Sequence, residues 1–260
     1  MEARLTEFSY GYCVTEELAN GSGPGFKAAP YFPSLYAEGK EGGGFDVQIG
    51  SALFLQFKLS EELTRRSATE TKKGLLEPIF FRFWLHRRDR SSQHKMLVEL
   101  ESKGNQVYYI APEFADLKSL DDAYNSPGGV LARSAMFSPT EIGLLADDRY
   151  HSLAFRPGGT FGWFLSAPKR VNVARASELF QRASRERTVA HPEPTNATSA
   201  QRWFGLLAVQ IRQIIEHNRG EIASRINRLD RGPLEEAAYL ARTHFGCELF
   251  LFAESSTARE

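Results

Sequence analysis

Residues 42–60 constrain the chain more than any other stretch. Three consecutive glycines, Gly42, Gly43 and Gly44, lead into two short segments in which apolar and polar residues alternate. Alternation with a period of two places successive side chains on opposite faces of a strand. Phe45, Val47 and Ile49 share one face, with Asp46 and Gln48 on the other. Beyond Gly50-Ser51, the residues Leu53, Leu55, Phe57 and Leu59 share a face opposite Phe54, Gln56, Lys58 and Ser60. The pattern predicts two strands folded into a hairpin about Gly50-Ser51. Such a hairpin sets Asp46 beside Gln56 and projects Gln56 and Lys58 together.

A carboxylate and an amide oxygen on one patch suit a hard divalent cation. Lys58 cannot ligate a metal while protonated, but it can hold a phosphate oxygen or favour ionisation of an attacking water. The same residues also read more simply, with Asp46 capping a turn after the glycines and Gln56 and Lys58 on a solvated sheet face.

Asp46, nine intervening residues, then Gln56-Phe57-Lys58 resembles the PD-(D/E)xK nuclease superfamily, and most closely its Mrr-type and RecB-like restriction branch. In that branch a glycine-rich turn precedes the Asp, and Gln can replace the first acid of the second half-motif. Gly44-Phe45 stands here where the family name has Pro. The resemblance covers roughly residues 5–111. It implies an α/β fold with a mixed central sheet and flanking helices, the restriction-endonuclease-like core. It also implies Mg2+ or Mn2+ held by Asp46 and Gln56, with Lys58 assisting the attacking water. Because Gln56 brings no charge, a further carboxylate is expected from the first helix, with Glu7 the first candidate and Glu17 the second. The implied activity is metal-dependent hydrolysis of DNA phosphodiester bonds, in a restriction or anti-phage defence setting by analogy alone. The alternative is a catalytically silent nuclease fold serving as a binding or scaffold subunit. A further alternative is a structural protein in which Asp46, Gln56 and Lys58 never meet.

The surrounding elements are expected as follows. Residues 4–19 read as a helix with Leu5, Phe8, Tyr12 and Ala19 as its apolar stripe, Val14 and Leu18 beside it. Residues 20–44 are rich in Gly and Pro, and the aromatic run 29–35 suits a loop packed over the core. Residues 79–86 read as a third strand. Next comes the most basic window of the chain, with Arg82, His86, Arg87, Arg88, Arg90, His94 and Lys95 against Asp89. Arg82, Arg87, Arg88, Arg90 and Lys95 are the candidate phosphate contacts. A helix over 92–103, capped by Ser91 or Ser92, supplies backbone N–H groups as well. The alternative for this window is a solvated loop laced with ion pairs. A strand over 106–111 follows, and a strand after a crossover helix is expected to pair in parallel.

Residues 112–150 read as irregular apart from a short strand at 134–139 and a helical turn at 140–143. A hairpin over 151–156 and 161–166, and a helix over 174–183, come next. Pro192 and Pro194 lie in a polar stretch, 185–199, that reads as a linker. It divides a nuclease-like domain, 1–184, from a mainly helical C-terminal extension, 200–260. That extension comprises an amphipathic helix at 200–217, a second helix at 234–245 and an apolar strand at 248–253. Its helices are candidate faces for a protein partner or a second copy of the chain.

Charge narrows the classes of partner. Thirty-two basic residues balance 32 acidic ones, so nucleic acid must be drawn by a local patch rather than a global field. Cys13 and Cys247 lie far apart and lack metal-ligand spacing, which suits a reduced cytoplasmic protein. No apolar run is long enough to span a bilayer, and neither a membrane nor a signal peptide is expected.

Overall fold

A crossover between two parallel strands positions everything else. The structure, a computed structural model, describes residues 3–19, 48–178, 197–219 and 232–254. In chain order the elements are α1 Glu7–Ala19, β1 Gln48–Phe57, β2 Glu61–Leu63, α2 Thr69–Lys72, β3 Phe80–Leu85, α3 Gln93–Ser102 and β4 Gln106–Pro112. After these come α4 Leu117–Tyr124, α5 Gly129–Ala132, β5 Ser134–Phe137, α6 Pro139–Ile142, β6 His151–Phe155, β7 Phe161–Phe164 and β8 Lys169–Asn172. The chain closes with α7 Ala197–Arg219, α8 Pro233–Leu240, a π-helical turn Ala241–Phe245 and β9 Glu248–Glu254.

The fold is mixed α/β with two sheets. The first has the order β5-β4-β1-β9, and the second β2-β3-β6-β7-β8. β1 and β4 are parallel, as the crossover predicts, and β9 runs antiparallel along the other edge of β1. Both faces of the first sheet are buried, because the alternation in β1 sorts its side chains into two apolar clusters. Ala52 and Phe54 join Val107 and Tyr109 against α3, α7 and the second sheet. Leu53, Leu55 and Phe57 join Tyr108 and Ile110 against α1, α4 and α5. Each fully buried Phe or Leu stabilises the fold by roughly 1.5–3 kcal/mol relative to exposure.

Several expectations are corrected. No hairpin forms about Gly50-Ser51, since β1 is one continuous strand and its antiparallel partner is the C-terminal β9. The register shifts between Ile49 and Ser51, so Gly50 marks a bulge rather than a turn. Pairing along the length of β9 covers an edge that a two-residue hairpin would have had to cover locally. β3 is a strand as expected, but it belongs to the second sheet and pairs with β2 and β6. Its aromatic side chains Phe81 and Phe83 pack beside Phe155 of the neighbouring β6, and Phe83 also meets Phe137 and Tyr109 across the layer between the sheets.

The helix α1 turns a different face inward from the one expected. Tyr10 and Val14 are fully buried, whereas Phe8 is 82% exposed and Tyr12 also faces solvent. Gly11 explains the choice. A Cβ there would stand 3.4 Å from the ring of Phe57, so the side with the smallest residue is the one that approaches the sheet. The region 112–150 is more ordered than expected, with α4 starting where Asp116 accepts a hydrogen bond from the Ser119 amide.

The C-terminal region is not a detached extension. Phe204, Leu207, Ile211, Ile214 and Ile215 of α7 are buried as the periodicity predicts, and most of them enter the same cluster as Phe54 and Phe83. β9 completes the first sheet. The stretch 185–199 lies mostly outside the described residues, and its last three residues begin α7. The 29–35 loop also lies outside them, as does the second half of the 174–183 helix. Among the described residues, no helix is long and apolar enough to cross a membrane.

Candidate functional site

Gln56 and Lys58 lie at the C-terminal end of β1, on the face that looks toward the second sheet. Ligand sites in α/β proteins gather at such carboxyl ends of parallel strands. Both side chains are 5% exposed, so the solvated-face reading does not hold. The parallel pairing runs through this point: Gln56 stands opposite Tyr109, and the Lys58 amide donates to the Ile110 carbonyl at 2.9 Å.

Gln56 Nε2 donates to the Phe57 carbonyl at 3.3 Å, while Oε1 is buried with no hydrogen-bond partner. Leaving a buried amide oxygen unpaired costs about 1–3 kcal/mol. The roof over Gln56 is the turn before β9. Gly246 has a φ of 63°, and a Cβ there would stand 2.4 Å from Gln93 Nε2 and 3.7 Å from Gln56 Nε2. Gln93, at the start of α3, fixes that turn by donating to the Phe245 carbonyl at 2.6 Å.

The Lys58 ammonium lies over the ring of Tyr109, with Nζ 5.7 Å from the ring centroid. Tyr109 is itself locked. The carbonyl of Gly143 can only accept, so His94 Nε2 carries the proton and donates to it at 2.8 Å. The neutral ring then accepts the Tyr109 hydroxyl at Nδ1, again at 2.8 Å. Burial holds His94 below its ordinary pKa, in keeping with this neutral tautomer.

Burial also lowers the Lys58 pKa from its ordinary 10.5, and the carboxylate of Glu7 opposes that shift. Glu7, in the first turn of α1, is therefore the acid whose field acts on the lysine. The charge of Lys58, with some help from burial, lowers the pKa of His86 in turn. Lys58 thus feels the charge of Glu7 on α1, and His86, just after β3, feels that of Lys58.

The remaining predicted residues distribute as follows. Asp46 lies outside the described residues. Glu17 does not serve the site, because its carboxylate caps α5, accepting from the amides of Val130 and Leu131 at 2.5 and 2.8 Å. Arg82 is not a phosphate contact but an internal tie. Its guanidinium binds Glu61 and the buried Glu70, each at 2.8 Å. Arg87 pairs with Asp89 at 2.7 Å and Arg88 with Asp148 at 2.8 Å, so this part of the window carries the ion pairs of the alternative reading. Arg90 and Lys95 are exposed, and among the described residues neither makes an ion pair. The N-cap residue of α3 is Ser92, whose side chain makes no capping bond, while Ser91 Oγ accepts from the Gln93 amide at 3.2 Å.

Sequence reasoning missed Tyr109, Gln93 and the structural use of His94. All three reach the site by tertiary packing from β4 and α3, and nothing in their local sequence marks them. The orphaned Gln56 Oε1 is a neutral oxygen of the kind a hard cation accepts. No family model matches the chain, and no curated protein or solved structure matches it.

Proposed function

We propose that the chain is a metal-dependent nuclease that hydrolyses DNA phosphodiester bonds, with its reactive centre at the C-terminal end of β1, working within a restriction or anti-phage defence system. One observation carries the reading: a buried lysine with a lowered pKa stands beside a buried amide oxygen that has no partner. Both features carry a free-energy cost, and groups with perturbed pKa values cluster at functional sites. The resemblance of Gln56-Phe57-Lys58 to the nuclease motif supplies a use for them.

In this reading Lys58 Nζ holds a phosphate oxygen and, with its pKa lowered, exchanges a proton with the water that attacks phosphorus. The Tyr109 ring fixes the ammonium, and His94 fixes the ring. Gln56 Oε1 and Glu7, with Asp46 as the resemblance implies, would hold Mg2+ or Mn2+, which supplies charge stabilisation and an acidified water. Closure of the Gly246 turn over Gln56 keeps bulk water away, which strengthens each electrostatic contact.

A second reading, a silent nuclease fold acting as a binding subunit, is favoured by the neutrality of Gln56. Nicking of supercoiled plasmid in Mg2+ or Mn2+ separates the two. The nuclease reading expects cleavage by the natural chain, none by Lys58→Ala, and weak cleavage by Glu7→Gln. A Lys58→Ala protein that still cleaves ends the assignment at this site. DNA binding without cleavage in either metal, with or without neighbouring gene products, establishes the binding-subunit reading instead.

A further inference from the structure

We infer that the surface formed by Trp84, Tyr150 and Arg87 is a stacking platform for the bases of single-stranded nucleic acid. The inference rests on the phosphodiester reading above for the nature of the polymer.

Single exposed aromatics on a surface are ordinary. Trp84 differs because it is exposed and pinned. It is 40% exposed, yet its indole Nε1 donates to Glu61 at 2.8 Å and the Arg82 guanidinium carbon sits 4.7 Å from its ring centroid. Arg82 is in turn gripped by Glu61 and by Glu70, which is 1% exposed. A partly buried charge network is thus spent on orienting a ring that remains open to solvent.

Tyr150, 63% exposed, stands against Trp84 with centroids 6.1 Å apart and ring planes at 81°. The two rings make a corner in which a flat base meets one ring by its face and the other by its edge. The Arg87 guanidinium carbon lies 5.4 Å from the Tyr150 centroid, on a side chain next to His86. Its pairing with Asp89 is an exposed ion pair, the kind that exchanges readily for phosphate because it contributes little.

A duplex offers base edges and backbone, since its base faces are already stacked on one another. Open rings beside a guanidinium match unstacked bases and their phosphates. Each base–aromatic stack typically accounts for about tenfold or more in affinity on alanine substitution.

The test is fluorescence anisotropy of a dye-labelled oligothymidylate with the intact chain in EDTA, so that binding is read without cleavage. A duplex and an abasic oligomer of the same length are compared, with an oligouridylate to separate DNA from RNA. The expected result is tighter binding of the thymidylate or uridylate strand than of either comparison polymer. Trp84→Ala is expected to lose about tenfold or more, Trp84→Phe to retain most of the affinity, and Arg87→Ala to lower the salt slope. If Trp84→Ala does not fold, Tyr150→Ala gives the same reading from an exposed ring. Equal binding of abasic and base-bearing strands, or preference for duplex, overturns the inference. Binding with the expected pattern but no nicking in any metal overturns the nuclease reading and leaves this one standing.

Discussion

The ammonium of Lys58 stands over the face of Tyr109, 5.7 Å from its centroid, and Tyr109 is held in place by a histidine that in turn is held by the Gly143 carbonyl. This chain connects β1, β4, α3 and the loop after α6, four segments distant in sequence. It keeps a protonatable amine in a buried position that no local preference would choose.

Lys58 is expected to cost stability. Its folded pKa is lowered from 10.5 by burial, so between that lowered value and 10.5 the unfolded chain binds more protons and stability rises with pH. The contribution is complete above 10.5 and is lost as pH falls through the folded value. Replacing Lys58 with Met removes the titration and is expected to stabilise the protein at pH 7 by on the order of 1 kcal/mol. The measurement is thermal unfolding of both proteins from pH 6 to 11, where the Met variant should show a flatter profile above pH 7 together with loss of nicking.

Arg82 is expected to be structural. Substituting Met leaves the buried Glu70 carboxylate without its partner, which costs about 3–5 kcal/mol in comparable buried pairs. Glu70→Leu in the Met background is expected to recover much of that loss. Urea titrations of the two variants decide the matter, and an Arg82→Met protein as stable as the natural chain would show that Glu70 is satisfied in another way.

Arg87 and Arg88 are both paired at the surface, so a double Ala variant should melt within a degree or two of the natural protein. Its nucleic-acid affinity should fall at low salt, and the slope of log K against log salt should flatten by roughly 0.7 per single-strand contact removed. Unchanged affinity at every salt concentration would exclude both residues from the interface.

The chain ending at residue 184 is expected not to fold cooperatively. It lacks β9, which covers one edge of β1 from Gln48 to Leu55, and α7, which buries Ile211, Ile214 and Ile215 in the common core. Circular dichroism and hydrogen exchange on this fragment should show an open β1, and adding residues 197–260 in trans should restore protection there. A fragment with native-like cooperativity would restore the two-domain division.

By itself the sequence determined the strand character of β1, β4, β6 and β7, the helices α3 and α7, and the shared face of Gln56 and Lys58. Each of these depends on a local period of 2 or 3.6 residues, which is written in consecutive side chains. Glu7 and Glu17 were candidates for a metal-site carboxylate only through the resemblance to a nuclease motif. Tertiary structure decided the partner of β1, the sheet to which β3 belongs, and the inward face of α1. It also decided that Arg82 serves Glu70, that Glu17 serves α5, and that Tyr109 and His94 serve Lys58. Those outcomes depend on which surfaces exclude water together. The runs Leu249–Phe252 and Phe80–Phe83 both read as aromatic-rich strands in sequence, and only the packing of the whole chain distinguishes the edge that one covers from the layer that the other fills.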